Sequence, residues 1–449
     1  MRLDYQRIGV MGFSPRTGLE VIKYLSKFDL KIIVADQKDE EELLPLIKKL
    51  DNSKLEYDLG TKGTKILESE LIILSPGVPY DLDILVQARK KGIETISEIE
   101  FAFRQSQAEI IAITGTNGKT TTTEMLAAML ADLEAENIKA AGNIGIPFIS
   151  LIDQLKEKER VILELSSFQL EAVKDFKAKI ALYLNYSPDH LDRHQTEKNY
   201  QAAKANIFKN QQPSDFAIID LDDPYLSELK NKLEAKVLTI SAKNEKADLI
   251  IQDNIAYYQK EKLKLLDLSK INLLGKHNQK NAAFAALAAY LAGQKPEKIQ
   301  LAAQNYKLKA HRMEVIANKN NKLIINDSKA TNPDSTLKAI NSLEKDIILI
   351  AGGQDRKADF SVLKSEIEKK VKTLILLGEN KKQLANIFLD SKLKIIEVET
   401  MKTAVTEALK HLDSNSVLLL SPASPSWDLY ASYKERGNIF KENVLKNID

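Results

Sequence analysis

Three α/β domains built around mostly parallel sheets are what this sequence predicts, and three observations carry the prediction. Short runs rich in Ile, Leu and Val alternate with segments of helical period. The chain has 449 residues, a length that suits about three domains. Apolar residues make up 44% and charged residues 29%, enough for several cores. In chain order the runs that read as strands are Arg7–Val10, Lys31–Ala35, Leu71–Leu74, Ile110–Ile113, Val161–Leu163, Ile180–Leu184, Phe216–Ile219, Leu323–Ile325, Ile347–Ile350, Leu374–Leu377 and Val417–Leu420. Their continuous apolar character suits parallel strands covered on both faces. Thr121–Leu133 reads as a helix, because Met125, Leu126, Met129, Leu130 and Leu133 fall on one face. The Lys- and Gln-rich stretch Asp248–Lys270 reads as peripheral strands or loop. Boundaries near Ile99 and Lys309 divide the chain into domains 1–99, 100–309 and 310–449.

Composition excludes several chemistries. Lys and Arg total 65 and Asp and Glu 63, so a net charge of +2 supports binding to neither nucleic acid nor a membrane surface. The absence of Cys removes disulfides, thiolate zinc sites, iron–sulfur ligation and a Cys nucleophile. Five His argue against an all-imidazole metal cage. The opening MRLDYQRIGVMG lacks the apolar core of a signal peptide, and the stretch Ala282–Ala292 is shorter than the ~20 residues of a membrane span. The expectation is a soluble, cytoplasmic monomer.

The strand Ile110–Ile113 runs into TGTNGKTTTT, Thr114–Thr123, and then into a helix. Strand, glycine turn, Lys-Thr and helix N-terminus make a phosphate cradle: backbone N–H groups and the helix dipole attract phosphate oxygens. Gly115, Thr116, Asn117, Gly118 and Thr121 would form its wall, with Lys119 reaching the outer phosphates and the Thr120 hydroxyl holding Mg²⁺. Gly115 lies closer to Gly118 than the strict G-x-x-x-x-G-K-T spacing requires, so an ordinary Gly/Thr helix cap is the bland alternative.

Two carboxylates follow at neighbouring positions. Glu164 ends the strand Val161–Leu163, at the sheet edge where ligands of α/β proteins bind. Mg²⁺ takes few protein ligands, so one such Glu suffices. The next strand leads into NYSPDHLDRH, which brings Asp189 and His190 to the same edge. Lys204 shares a helical face with Tyr200, Ile207 and Phe208. A lysine there ordinarily snorkels to water.

The flanking domains carry weaker signals of the same kind. GVMGFSPRTG, Gly9–Gly18, is a Gly-rich turn after the first strand. Asp36 ends the second strand, where a Rossmann acid contacts a nucleoside hydroxyl, and Ser75–Pro79 is a third strand-end turn. In the last domain NDSKATN (Asn326–Asn332), AGGQDRKADF (Ala351–Phe360) and SPASPSWDLYASYKERG (Ser421–Gly437) follow strands and set Lys329, Arg356, Lys357 and Ser426 at strand ends. Basic and hydroxyl groups there suit a small carboxylate.

Together these segments resemble the muramyl ligase family across essentially the whole chain. The general marks are TGTNGKTTT, GKHNQKNA (Gly275–Ala282) and HRME (His311–Glu314); AGNIGIP (Ala141–Pro147), ELSSFQL (Glu164–Leu170), NDSKATN and SWDLYASYKERG resemble the branch that adds D-glutamate. The resemblance implies a UDP-substrate-binding Rossmann-like domain, a central P-loop ATPase-like domain and a C-terminal amino-acid-binding Rossmann-like domain. It gives Lys119 and Thr120 the ATP phosphates and Mg²⁺, Glu164 a metal-ligand role, and His190 a second Mg²⁺. Lys204 matches a lysine that CO₂ converts to a carbamate, making it a carboxylate-like metal ligand. Asn278 and Asn281 would contact adenine and nearby atoms of ATP, while Arg312 and Asp327 reach phosphate and ribose. Ser14, Arg16, Thr17, Asp36 and Gly77 would cradle uridine diphosphate, and Asn143 and Ser166 the muramyl group. Lys329, Thr331, Arg356, Ser426 and Tyr433 would surround D-glutamate, Tyr433 mainly through its backbone. Gln37 and Ala310 depart from the residues usual in the family beside the uracil and before His311, and either Arg356 or Lys357 supplies the basic contact to glutamate.

The implied reaction is ATP-dependent amide synthesis in peptidoglycan precursor assembly. The carboxylate of UDP-N-acetylmuramoyl-L-alanine attacks the γ-phosphoryl group, and the amine of D-glutamate displaces phosphate from the acyl phosphate. Domain closure is expected to assemble the site. Two alternatives stand beside it: a sister muramyl or folylpolyglutamate-type ligase using another amino acid, and a non-enzymatic nucleotide switch.

Overall fold

The computed structural model describes residues 3–133, 138–157, 159–271, 275–307, 309–319, 322–356 and 358–447. Lys357, one of the two candidates for the glutamate contact, lies outside them. The described strands form three sheets, of five, nine and six strands. By contact density the chain divides into two compact units, Met1–Ser269 with Asn281–Gln304, and Lys270–Lys280 with Asn305–Asp449.

In the first unit β1 (Arg7–Met11), β2 (Lys31–Asp36), β3 (Leu55–Leu59), β4 (Leu71–Leu74) and β5 (Glu94–Ser97) form an all-parallel sheet of order β3-β2-β1-β4-β5. The order reverses at β1, which opens a crevice between the loops after β1 and β4. The second sheet has the order β14-β13-β12-β11-β10-β9-β6-β8-β7. Its strands are β6 (Glu109–Thr114), β7 (Lys139–Gly142), β8 (Arg160–Glu164), β9 (Ile180–Tyr183), β10 (Phe216–Asp220), β11 (Lys236–Ser241), β12 (Leu249–Gln252), β13 (Ile255–Tyr258) and β14 (Leu263–Asp267). β8, β6 and β9 are parallel neighbours, so their C-terminal ends open onto one place.

One continuous core joins the two sheets: Ile8, Val10, Ile32 and Val34 pack in the same cluster as Ile110, Ala112, Val161 and Leu163. The connecting helix Glu98–Arg104 puts Ile99 and Phe101 into that cluster. Its Glu100 is fully buried and accepts the backbone N–H groups of Lys174, Asp175 and Phe176 at 2.9, 3.0 and 2.9 Å, with Arg104 Nε at 2.8 Å. A carboxylate so satisfied fastens the connector to the second sheet.

In the second unit β15 (Glu314–Lys319), β16 (Lys322–Asn326), β17 (Asp346–Ala351), β18 (Val371–Leu376), β19 (Lys394–Glu397) and β20 (Ser416–Leu420) order as β15-β16-β20-β17-β18-β19, with only β15 antiparallel. Separate apolar clusters cover its two faces, as in a doubly wound domain.

Each expected strand has a counterpart, most of them a residue longer at one or both ends. The expected helix Thr121–Leu133 is corrected to Lys119–Leu130, because the glycine turn delivers the chain already in register for helix at Lys119. Asp248–Lys270 resolves into the antiparallel β12–β14 ribbon with short helical turns. β3, β5, β7, β11, β15 and β19 had no counterpart in the reading of the sequence. All but β11 are sheet edges, where one flank faces water and the apolar run is diluted by Lys and Glu.

Candidate active site

The phosphate loop is built as its sequence demands. β6 hands the chain to Gly115–Gly118, and the helix Lys119–Leu130 follows. Gly118 has φ 84°, and a Cβ there would come within 2.4 Å of Asn281 Oδ1, so only glycine lets the Asn281 side chain press onto the loop. Thr116 and Asn117 are braced from the end of β9: Asn185 O accepts Thr116 N at 3.0 Å, while Asn185 Oδ1 accepts Asn117 N and its Nδ2 donates to Asn117 O, both at 3.0 Å. Lys119 Nζ donates to the Gly115 and Thr116 carbonyls at 2.8 Å each. Thr120 and Thr121 occupy the first turn of the helix.

Glu164 ends β8 beside this loop and is 1% exposed. Its Oε1 accepts Asn143 Nδ2 at 2.7 Å; Oε2 is buried and has no hydrogen-bond partner among the described residues. A buried carboxylate oxygen left in that state costs free energy unless a cation compensates it. Asn143 is held there because Gly142, at φ 95°, tucks against Glu164 O where a Cβ would sit at 2.4 Å. Ser166 caps the short helix Ser167–Leu170 in a reciprocal box with Gln169, whose Nε2 donates to the buried Glu98.

After β9, His190 adopts φ 54° and its ring packs edge-on against Phe168 at 5.0 Å, with Asp189 Oδ2 3.7 Å from Nε2. Lys204, in the helix Glu197–Ala205, is 1% exposed and does not snorkel. Its Nζ donates to Gly115 O at 2.8 Å and lies 4.8 Å from the Tyr200 ring centroid. Burial, and then the charge of Lys119, hold this amine well below the usual lysine range, against the opposing pull of Asp189 and Glu164. Lys119, Glu164, His190 and Lys204 are therefore gathered around the ends of three adjacent strands. Among the described residues no group of three His, Asp or Glu could hold a metal by itself; Mg²⁺, which keeps phosphate and water oxygens, needs fewer protein ligands.

In the crevice of the first sheet, Ser14, Asp36 and Gly77 line a cavity of about 510 Å³ with an apolar floor that includes Leu43 and Leu46. Asp36 ties two neighbouring loops together: Oδ2 accepts Phe13 N, in the loop after β1, at 2.6 Å, and Oδ1 accepts Lys38 N, in its own loop, at 3.0 Å. Ser14 Oγ accepts the N–H groups of Thr17 and Gly18, which open the following helix. Arg16 reaches away to the second sheet, donating to Gly142 O at 2.6 Å and Asn143 O at 3.1 Å.

In the second unit the loops after β16, β17 and β20 open at one edge. Asp327 is buried; it accepts Met313 N at 3.2 Å and Ser421 Oγ at 3.0 Å, and burial pushes its carboxyl up to about 7 in spite of Arg312. Lys329 Nζ lies 4.0 Å from the Tyr433 ring centroid, and Tyr433 O accepts Ser328 Oγ at 2.8 Å. Arg356 stacks over Trp427 at 4.6 Å, Ser426 is buried beside it in sequence, and Thr331 is half-buried ahead of the helix Pro333–Asn341. Asn278 is buried in the helix Lys276–Leu291.

Reading the sequence missed three supports. Asn185 braces the phosphate loop, and its only sequence signal is an Asn just after a strand. Arg193 and Glu171, both half-buried, and the buried His194 form a polar cluster beside His190. Arg436, 1% exposed, gives its guanidinium to Ser328, Ser424 and Pro425 and so ties two of the loops around Lys329 and Ser426.

Three family models match the chain in order. Residues 6–97 match the Mur ligase MurD-like N-terminal domain, 113–289 the Mur ligase middle domain and 311–424 the Mur ligase glutamate ligase domain. The UDP-N-acetylmuramoylalanine--D-glutamate ligase of Thermoanaerobacter sp. (strain X514) is 37% identical over 459 residues, 99% of each chain. That of Clostridioides difficile (strain 630) is 38% identical over 449 residues, again 99% of each. Among solved structures, MurF ligase from Thermotoga maritima in complex with ADP has a TM-score of 0.63 at 15% identity, covering 93% of this chain and 95% of that one. A pseudomurein peptide ligase type C from Methanothermus fervidus has 0.61 at 17%, covering 99% and 100%. At such identities these two share the fold. With three domain models matched in order and relatives aligned from end to end, the chain belongs to the Mur ligase family.

Proposed function

We propose that this chain joins D-glutamate to UDP-N-acetylmuramoyl-L-alanine with consumption of ATP, as an enzyme of peptidoglycan precursor synthesis working as a cytoplasmic monomer. The observation that carries the reading is whole-length identity of 36–38% with ligases of that name. The gathering of Lys119, Glu164, His190 and Lys204 around one phosphate loop supports it chemically.

The loop amides of Gly115–Thr121 and the Lys119 ammonium hold the ATP phosphates and neutralise charge as the substrate carboxylate attacks the γ-phosphoryl group. Asn278 and Asn281 bind the adenine end; Arg312 and Asp327 contact phosphate and ribose. Ser14, Arg16, Thr17, Asp36 and Gly77 hold the uridine diphosphate, and Asn143 and Ser166 the muramyl group. Lys329, Thr331, Arg356, Ser426 and Tyr433 bind D-glutamate, whose amine then displaces phosphate from the acyl phosphate. Glu164 Oε2, without a partner among the described residues, is what a divalent cation fits, so Thr120, Glu164 and His190 would hold Mg²⁺. When bound, Mg²⁺ withdraws charge from phosphate oxygens. Burial holds the Lys204 amine well below the usual lysine range, which favours the unprotonated form; that form would add to CO₂, forming an N–C bond with release of one proton, and the resulting carbamate would be a further oxygen donor to the metal.

The test is phosphate release with UDP-N-acetylmuramoyl-L-alanine, ATP and a panel of amino acids. Release that requires D-glutamate is expected. Release with another amino acid alone identifies a sister ligase, and release indifferent to amino acids identifies a nucleotide switch.

A further inference from the structure

We propose that Arg193 is a positioning residue that clasps the sugar-nucleotide cradle of the first sheet to the turn carrying His190; the inference rests on the function proposed above. Arg193 lies in the short helix Leu191–His194 beyond β9 of the second sheet, three residues after His190, and its N–H closes that turn on His190 O at 3.1 Å. Its guanidinium crosses to the loop after β4, where Nη2 donates to Val78 O at 2.7 Å and Nη1 to Gly77 O at 3.3 Å. Gly77 and Val78 are walls of the cradle cavity.

The guanidinium is aimed by its surroundings. Glu171 Oε2 accepts Nη2 at 2.7 Å, Glu171 Oε1 meets His194 Nδ1 at 3.1 Å, and His194 Nε2 meets Ser167 Oγ at 2.9 Å. The Phe168 ring lies under the guanidinium at 5.0 Å, stacks on His194 at 5.4 Å and touches His190 at 5.0 Å. Arg193 thus joins the cradle loop to the His190 turn, and through Glu171 and His194 the cluster reaches Ser167. Arg16 makes the mirror contact, from the first sheet to the carbonyls of Gly142 and Asn143. Charge-assisted bonds to carbonyls at both ends of the crevice hold its two walls in one register. The phosphate loop has its own brace in Asn185, so loss of the Arg193 clasp displaces the cradle without displacing the ATP site.

The experiment is steady-state kinetics on the full chain, with wild type, Arg193→Ala, Arg193→Lys and Glu171→Gln assayed together. Arg193→Ala should raise KM for UDP-N-acetylmuramoyl-L-alanine by roughly 10- to 100-fold, the loss expected for a charged hydrogen-bond set, and leave KM for ATP within about twofold. Arg193→Lys should fall between it and wild type. A cavity of about 210 Å³, bounded by Tyr80, Asp81, Glu171 and His194, adjoins the guanidinium, so added methylguanidinium should restore affinity to Arg193→Ala. KM for both substrates rising in step, an unchanged KM for the sugar nucleotide, or no rescue overturns the clasp. If Arg193→Ala does not fold, Glu171→Gln decides: a selective rise supports the clasp and an unchanged KM overturns it. Wild type inactive on this substrate overturns the proposed function instead.

Discussion

Asp327→Asn should stabilise the second unit, and the gain should grow with pH. Burial raises the carboxyl from its ordinary 3.8 to about 7, while the bonds from Met313 and Ser421 only partly oppose this. Between those values the folded protein keeps a proton that the unfolded chain has released. Unfolding then sheds a proton, so rising pH favours unfolding and the ionised group destabilises the fold most fully above pH 7. At about 1.4 kcal/mol per tenfold in proton affinity, the cost is about 1.7 kcal/mol at pH 5 and about 4 kcal/mol at pH 8. Asn keeps an acceptor for Met313 N, and the Ser421 hydroxyl, which also meets Thr336 Oγ1 at 3.0 Å, turns to accept. The variant should therefore gain about 2.5 kcal/mol more at pH 8 than at pH 5 relative to wild type, with KM for ATP raised. Urea unfolding followed by fluorescence is the assay, because the single Trp of the chain, Trp427, belongs to this unit. A stability difference independent of pH would refute the reasoning and mean that the folded carboxyl is already ionised at pH 5.

Three further outcomes test the site. Glu164→Gln preserves shape but weakens a hard-cation ligand, so the Mg²⁺ needed for half-maximal rate should rise by roughly tenfold or more; an unchanged titration leaves Glu164 a structural charge. Lys204→Ala should lose activity by roughly 100-fold or more and regain part of it with acetate or formate, which supply the missing oxygens; rescue by alkylamines alone would instead mean a working ammonium. Lys329→Ala should raise KM for D-glutamate by roughly 10- to 100-fold with KM for ATP little changed; equal effects on the two substrates would remove Lys329 from the amino-acid pocket.

The phosphate loop was legible because everything it needs is contiguous: a strand, two glycines, a Lys-Thr pair and a helix start within a few residues. The interior strands were legible for a related reason, since burial on both faces imposes unbroken Ile, Leu and Val. Edge strands such as β5 and β19 were not, because their exposed flank accepts Glu and Lys. Position at strand ends was enough to nominate Glu164 and His190, and the helical face nominated Lys204. What those residues experience came only from the fold. Glu164 Oε2 has no partner among the described residues because segments distant in sequence close over it, and the Lys204 amine is held well below the usual lysine range because burial and the Lys119 charge both press on it. Arg16 and Asp36 read as ligand contacts, and the fold adds to that a role no local pattern shows: Arg16 spans to Gly142, and Asp36 ties the loop after β1 to the end of β2. The Arg193 clasp left no local mark at all. Desolvation, charge coupling and long-range hydrogen bonds depend on which distant atoms share a volume, and that is decided by packing, not by the spacing of residues along the chain.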